Sequence, residues 1–277
     1  RDPDCPVCGA EGATPGDCVL YEEPDTEPVG TGEAQGTGDD TPTQDGEPEP
    51  LTPANGGISL LSTQENVSYI DPTDDSDQNK ICTRATEVTE DVTSWGGSDN
   101  EEYWYVVNDD VTISGRVTVT GKVHLILANG YTLNASQGID VSSGNSLTIY
   151  GQSENETKMG KLKATGATSG YNGDAGIGGN RNEVNFGTIT INGGAVTANG
   201  GNRAAGVGGG GSYPNKLLTN GSITINGGNV TATGGVYAAG IGAGPDGSED
   251  SSVTITIYDG TVYATGVNFS GTGIGCG

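Results

Sequence analysis

The sequence predicts an all-β chain, wound for most of its length as a right-handed parallel β-helix (a β-solenoid). Three observations carry that expectation: a glycine-flanked phrase recurs, its apolar residues alternate with small polar ones, and each alternating run ends in a glycine-rich corner. The phrase stands as GTITINGGAVTANGGNRAAGVGGGG at Gly187–Gly211, GSITINGGNVTATGGVYAAGIGAG at Gly221–Gly244 and VTITIYDGTVYATGVNFSGTGIGCG at Val253–Gly277. An earlier, degenerate copy runs through Leu147-Thr148-Ile149, Leu162–Thr165 and Ala175–Gly178. Its anchors Ile177, Val207, Ile241 and Ile274 lie 30, 34 and 33 residues apart. A period of this size denotes stacked coils, each burying its apolar face only against its neighbours.

Within a repeat, Ile189-Thr190-Ile191 and Val196-Thr197-Ala198 alternate at period two, the pattern of a strand with one buried face. Gly-Gly or Asn-Gly closes each strand, where glycine and asparagine accept the positive φ of a tight corner. Three such strands make one coil. Alignment of the copies stacks Ile189, Ile223 and Ile255 in one ladder and Ile191, Ile225 and Ile257 in a second. Val196, Val230 and Val262 form a third, and the four anchors a fourth. Upstream, Val111–Ile126 alternates in the same way, followed by Tyr131–Leu133, Ile139–Val141 and Leu147–Ile149, which extends the solenoid back to about residue 104. A helical reading fails on glycine density, since each glycine costs a helix roughly 1 kcal/mol. Gly206–Gly211 also matches a dinucleotide-binding glycine pattern, but no helix-like stretch follows it and its relatives recur in every coil.

Charge marks the boundaries before the repeats. The formal net charge is −25, and residues 1–56 hold 14 of the 36 acids, 9 of the 12 prolines and one basic residue. Such a segment buries too little apolar surface to offset chain entropy and is expected to be a disordered linker. Residues 57–103 are expected to cap the open end of the solenoid against edge pairing, and residues 104–277 to form the β-helix. This acidity disfavours nucleic acid, whose phosphates reward Lys and Arg. No stretch approaches the roughly 20 apolar residues of a membrane helix, so no membrane insertion is expected of this fragment. The chain opens on Arg1-Asp2-Pro3 and stops in mid-phrase at Cys276-Gly277, as a piece of a longer protein would.

The chemistry-bearing residues are sparse. Cys5, Cys8 and Cys18 fit either a small disulfide or metal knuckle completed by upstream sequence, or ordinary thiols, while Cys82 and Cys276 are isolated. Glycoside hydrolysis needs two carboxylates roughly 5 to 9.5 Å apart. From Gly187 onward the acids are Asp246, Glu249, Asp250 and Asp259; the first three share one loop, and no aligned carboxylate from a neighbouring repeat joins them. Asp140, Asp174 and Glu183 read as single, solvated acids. His124 is the chain's one imidazole and sits within a strand pattern. The loop Asp71, Asp74, Asp75 and Asp77 packs oxygen ligands densely enough for calcium, without the glycine turn and distal Glu of an EF-hand. No cofactor is otherwise expected. Just ahead of the successive anchors stand Tyr171, Arg203, Tyr237 and Phe269, which stacking brings toward one edge. Rings and a guanidinium on a neutral Asn- and Thr-rich surface can hold a sugar by stacking and hydroxyl hydrogen bonds; the alternative is that they only shield their corners. Loops Asn180–Phe186, Ser212–Asn220 and Pro245–Ser252 offer a second binding edge.

The repeat phrase, preceded by VTISGRVTVTGKVHLILANGYTLNA, resembles large secreted or wall-attached proteins of Gram-positive gut bacteria. It is similar to the secreted clostridial carbohydrate-binding β-helix family, over roughly residues 104–277. The resemblance implies an extracellular, cell-surface or cell-wall module, adhesin-like and non-catalytic, with a polysaccharide or host glycan as partner. It also implies calcium and acidic-sugar polymers, although these repeats lack dense acids. A passive structural stalk and a polysaccharide lyase or glycoside hydrolase are the competing expectations.

Overall fold

The structure, a computed structural model, describes residues 61–183, 185–213, 219–245, 252–267 and 271–276. The expected linker 1–56 with Cys5, Cys8 and Cys18 lies outside the described residues, as do Asp246, Glu249, Asp250 and Phe269. The described chain is strand, turn and loop throughout, with no helix, and so none long and apolar enough to cross a membrane.

Among the described residues six coils follow one another, each adding one strand to each of three sheets. The first sheet takes Glu102–Val107, Lys122–Leu127, Ser146–Gly151, Thr188–Ile191, Asn220–Ile225 and Ser252–Ile257. The second takes Val111–Ile113, Thr132–Ala135, Lys161–Thr165, Ala195–Asn199, Asn229–Val236 and Thr261–Val267. The third is built mostly of two-residue strands, among them Ile139–Asp140, Ile177–Gly178, Val207–Gly208, Ile241–Gly242 and Ile274–Gly275. Coil-to-coil pairing is parallel and in register. Ile189 pairs with Ile223 and Ile223 with Ile255, while Ile191, Ile225 and Ile257 stack beside them. Val196, Val230 and Val262 align, as do Ile177, Val207, Ile241 and Ile274. The four ladders are those that the repeat alignment predicts.

Leu125, Ile149, Ile191 and Ile225 are fully buried inside the coils, and each contributes about 1.5–3 kcal/mol through its removal from water. Ile257 and Ile274 of the sixth coil are 41% and 47% exposed, because no described coil stacks on them. The anchor phrase also needs its second glycine. Gly178, Gly208 and Gly242 have φ near 133–135°, and a Cβ on Gly208 would collide with the carbonyl oxygen of Gly242 one coil on.

One partly buried cation binds three coils together. The Arg116 Nε donates to Asn180 Oδ1 at 2.7 Å, and Nη1 donates to the carbonyls of Gln137 and Ala175 at 2.9 and 3.0 Å. Its Nη2 reaches the carbonyls of Gly178 and Gly179, both at 3.2 Å. Burial lowers the guanidinium pKa, opposed by the charges of Asp174 and Asp140. Those two acids depart from the solvated expectation: both are buried. Asp140 accepts from Ser142 Oγ at 2.6 Å and Asn180 Nδ2 at 2.8 Å, and Asp174 accepts from the Arg181 backbone N–H at 2.8 Å. Buried carboxylates persist where hydrogen bonds and a nearby cation replace water. Glu183 remains exposed.

The described part of the expected cap, residues 61–103, divides in two. Val88, Val92 and Trp95 enter the interior core, where Trp95 stacks on Tyr105 with ring centroids 5.5 Å apart. The antiparallel hairpin Thr63–Ile70 and Asn79–Glu87 instead joins the first sheet only through Thr86 and Glu87. From there it crosses that sheet's outer face. Val67, Cys82 and Ala85 bury against Val106, Ile126 and Tyr150 in a second, smaller core. Tyr69 packs on Trp104 and Tyr150 at 5.0 and 4.7 Å. Farther along, Gln152 Nε2 donates to the Ser68 carbonyl at 2.9 Å and Asn192 Nδ2 to Asp71 Oδ1 at 3.4 Å. The hairpin thus touches the first four coils in succession. His124 lies under it, stacked on Trp104 at 4.2 Å.

Replacing Ile225 by Asp should unfold the solenoid, since an unpaired carboxylate in an apolar ladder costs several kcal/mol; loss of the β signal in circular dichroism at room temperature checks this. A pH effect follows from His124, whose pKa burial lowers from 6.5 despite the opposing charge of Glu102. The folded chain holds this ring neutral, so its contribution is fully present above about pH 6.5 and is lost as pH falls through the depressed folded value. Melting temperature should therefore decline from about pH 6.5 downward, and His124→Gln should flatten that part of the profile.

Candidate functional site

The corners between the second and third sheets gather three of the four residues expected at the binding edge. Tyr171 sits at the tip of a small antiparallel hairpin, Thr168–Ser169 paired with Asn172–Gly173, where Gly170 takes φ +61° to make the two-residue turn. Arg203 and Tyr237 occupy equivalent corners one coil apart. The Asn202 N–H donates to Thr168 Oγ1 at 2.9 Å, and its Nδ2 donates to the Gly170 carbonyl at 3.2 Å, tying the small hairpin to the next corner. Phe269, the fourth, lies outside the described residues.

Tyr213 completes the group, and the repeat alignment does not find it. It belongs to the Ser212–Asn220 loop, outside the repeated phrase, and that loop brings it onto this edge. The Arg203 guanidinium lies 4.4 Å from the centroid of the Tyr213 ring and 5.0 Å from that of Tyr237. Tyr171 and Tyr213 have ring centroids 5.9 Å apart. A continuous row results, Tyr171–Tyr213–Arg203–Tyr237, with the rings 72%, 47% and 39% exposed. Each guanidinium–ring contact at an exposed site is worth about 0.5–1 kcal/mol. Among the described residues Arg203 forms no ion pair with a carboxylate.

Backbone geometry singles out the same two corners. Arg203 and Tyr237 hold φ of +58° and +62°. Bulky residues avoid this left-handed region at a cost of roughly 1–2 kcal/mol, whereas glycine enters it freely. Among the described residues the other non-glycine residues there are Asn66 and Asn182, a type that tolerates the conformation. Asn172, behind the row, donates to Asn182 Oδ1 at 2.7 Å and to the Tyr213 carbonyl at 3.2 Å, which ties the Tyr213 backbone to the small hairpin. Its Oδ1 is buried with no partner among the described residues. Leaving such an acceptor unpaired costs about 1–3 kcal/mol.

The expected calcium loop forms the tip of the long hairpin. Its acids turn toward their own backbone. Asp71 Oδ1 accepts from the Thr73 N–H at 3.1 Å and from its hydroxyl at 2.6 Å. Asp74 accepts from Ser76 N–H at 2.9 Å and pairs with Lys80 Nζ at 2.6 Å. The Lys80 bond, followed by those from Ser76 and Asp77, holds the Asp74 carboxyl well below the usual carboxylate range. Asp77 accepts from the Asn79 N–H at 3.1 Å, and Asp75 is drawn into none of these turns. Among the described residues no three His, Cys, Asp or Glu side chains converge as a metal site. Cys82, buried on the inner face of the hairpin, and Cys276, exposed, are both free thiols.

Three segments of the chain, residues 189–211, 223–245 and 255–277, match the Beta helix repeat family. They are the last three coils, which places the chain's repeats among parallel β-helices. No curated protein and no solved structure matches the chain.

Replacing Arg203 or Tyr237 by Gly should leave the melting temperature unchanged or slightly raised, as relief of about 1 kcal/mol of backbone strain offsets the lost stacking. A thermal melt of each variant checks this.

Proposed function

We propose that this chain is a non-catalytic, extracellular surface module, adhesin-like, that binds carbohydrate weakly along the Tyr171–Tyr213–Arg203–Tyr237 row. The observation that carries the reading is the pair of bulky residues held at positive φ on consecutive corners. Glycine would serve those corners at less cost, so the side chains are retained for what they present. With Tyr171 and Tyr213 they present exposed rings and a guanidinium that has no carboxylate partner among the described residues, on a surface of Asn, Thr and Gly. Rings stack on the C–H face of a sugar, and the guanidinium donates to hydroxyl or carboxylate oxygens. The four side chains contact one another in succession, an extended surface that suits a polysaccharide better than a single sugar unit. Affinity for one module is expected near millimolar, about −4 kcal/mol, raised by avidity where copies are repeated.

Affinity electrophoresis and a glycan array, run on the chain with and without calcium, test this. The module should retain at least one polysaccharide without shortening it. Tyr213→Ala combined with Tyr237→Ala should cut retention at least tenfold with little change in melting temperature, because exposed rings contribute little to the core. Retention of no glycan would favour a passive stalk, and release of reducing ends or unsaturated uronates would make the module a hydrolase or lyase. Retention that depends on calcium and survives the double substitution would move the site to the Asp71–Asp77 loop.

A further inference from the structure

A second concave surface lies at a different corner, between the first and second sheets, away from the aromatic–arginine row. The tip of the long hairpin and the loop Gly151–Met159 stand as two walls over the corner column of the fourth, fifth and sixth coils. Between them runs a groove of about 880 Å³, within the roughly 300–1,000 Å³ typical of small-ligand sites. Its floor is largely backbone, because glycines recur at Gly193, Gly227, Gly228 and Gly260. A ligand can therefore lie close against the coils. Asn226 Nδ2 donates to Asn192 Oδ1 at 2.8 Å, and Asn192 in turn donates to Asp71, so the carboxamides form an ordered row along the floor. At one end stands Tyr258, 76% exposed.

Charge separates this groove from the arginine corner. Asp75, Glu154, Glu156 and Asp259 line it, and among the described residues no Lys, Arg or His does. A polyanion entering would meet four carboxylates in a partly enclosed space, where Coulomb repulsion is screened less than in open water. A ring of hydroxyls suits the carboxamides and the exposed backbone, and a sugar face suits Tyr258. A protonated amine, with three donors and no acceptor, suits the carboxylates.

We infer that the groove between the hairpin tip, the Gly151–Met159 loop and the Asn192–Asn226 floor is a second saccharide site, selective for glycans that carry free amino groups and closed to uronates. It does not rest on glycan binding at the Tyr171–Tyr237 row, since the two surfaces share no residue.

Isothermal titration calorimetry on the whole chain tests this with four probes: a β-1,4-linked glucosamine oligomer, its N-acetylated counterpart, a galacturonate oligomer and calcium chloride. The glucosamine oligomer should bind, the N-acetylated one at least tenfold more weakly, and the galacturonate oligomer not at all. Tyr258→Ala and Asp259→Asn are exposed changes that should each weaken glucosamine-oligomer binding several-fold, with unchanged melting temperature. Raising sodium chloride from 50 to 500 mM should weaken it further. The triple variant Tyr171→Ala, Tyr213→Ala, Tyr237→Ala should bind this oligomer as the parent does, which separates a failure here from a failure at the row. Absent binding of the glucosamine oligomer would overturn the inference. So would equal binding of the acetylated oligomer, undiminished binding by the Tyr258→Ala, Asp259→Asn double variant, or heat from calcium alone.

Discussion

In-register parallel stacking is the constraint on which the rest of this molecule depends. Every coil must set each residue over its equivalent, because backbone N–H and C=O groups are satisfied by the coils on either side. A one-residue slip would turn an apolar ladder outward and expose it to water. That requirement accounts for the repeated phrase, for β-branched residues in the ladders and for glycines at the positive-φ corners. It also explains why buried side chains inside the coils are chemically uniform while the corners and loops vary. Chemistry can be placed only where stacking does not dictate identity.

Two devices outside the repeat rule reinforce the early coils, which have the most irregular sequence. Arg116, from the first coil, ties the next two to it, drawing carbonyls and an asparagine from both onto one guanidinium. The long hairpin spans them from outside, covering a face that would otherwise expose Val106, Ile126 and Tyr150. The later coils have neither device and are the most regular in sequence. Regular ladders and added ties thus serve the same end in different parts of the chain. A partly buried charge is an exacting tie, because loss of a partner leaves it less well solvated.

The surface splits by electrostatic character along its corners. The aromatic–arginine row carries a cation without a carboxylate partner among the described residues, whereas the groove under the hairpin tip carries carboxylates without a basic neighbour in its lining. A rigid solenoid holds such unlike surfaces apart at fixed positions on one small module.

Repeat period, alternation and corner glycines together were sufficient to determine the coil, its ladders and its register in the later coils, because each of those features is a local rule repeated along the chain. Tyr171, Arg203 and Tyr237 could be placed on one edge for the same reason, each standing four to six residues ahead of an anchor. Only the tertiary structure decided the contributions that come from outside the repeat. Tyr213 reaches the row from an unaligned loop, and Asp140 and Asp174 turn inward toward Arg116, more than twenty residues away from either. The hairpin lies along the coils, although composition alone makes it an acidic end piece. A trace of that last feature was present in Tyr105-Val106-Val107 and Leu125-Ile126-Leu127, where apolar residues run without alternation, as they do in strands covered on both faces. Sequence periodicity reports what a residue does within its own coil; long-range charge pairing and the docking of a non-repeated segment depend on distances that no local pattern encodes.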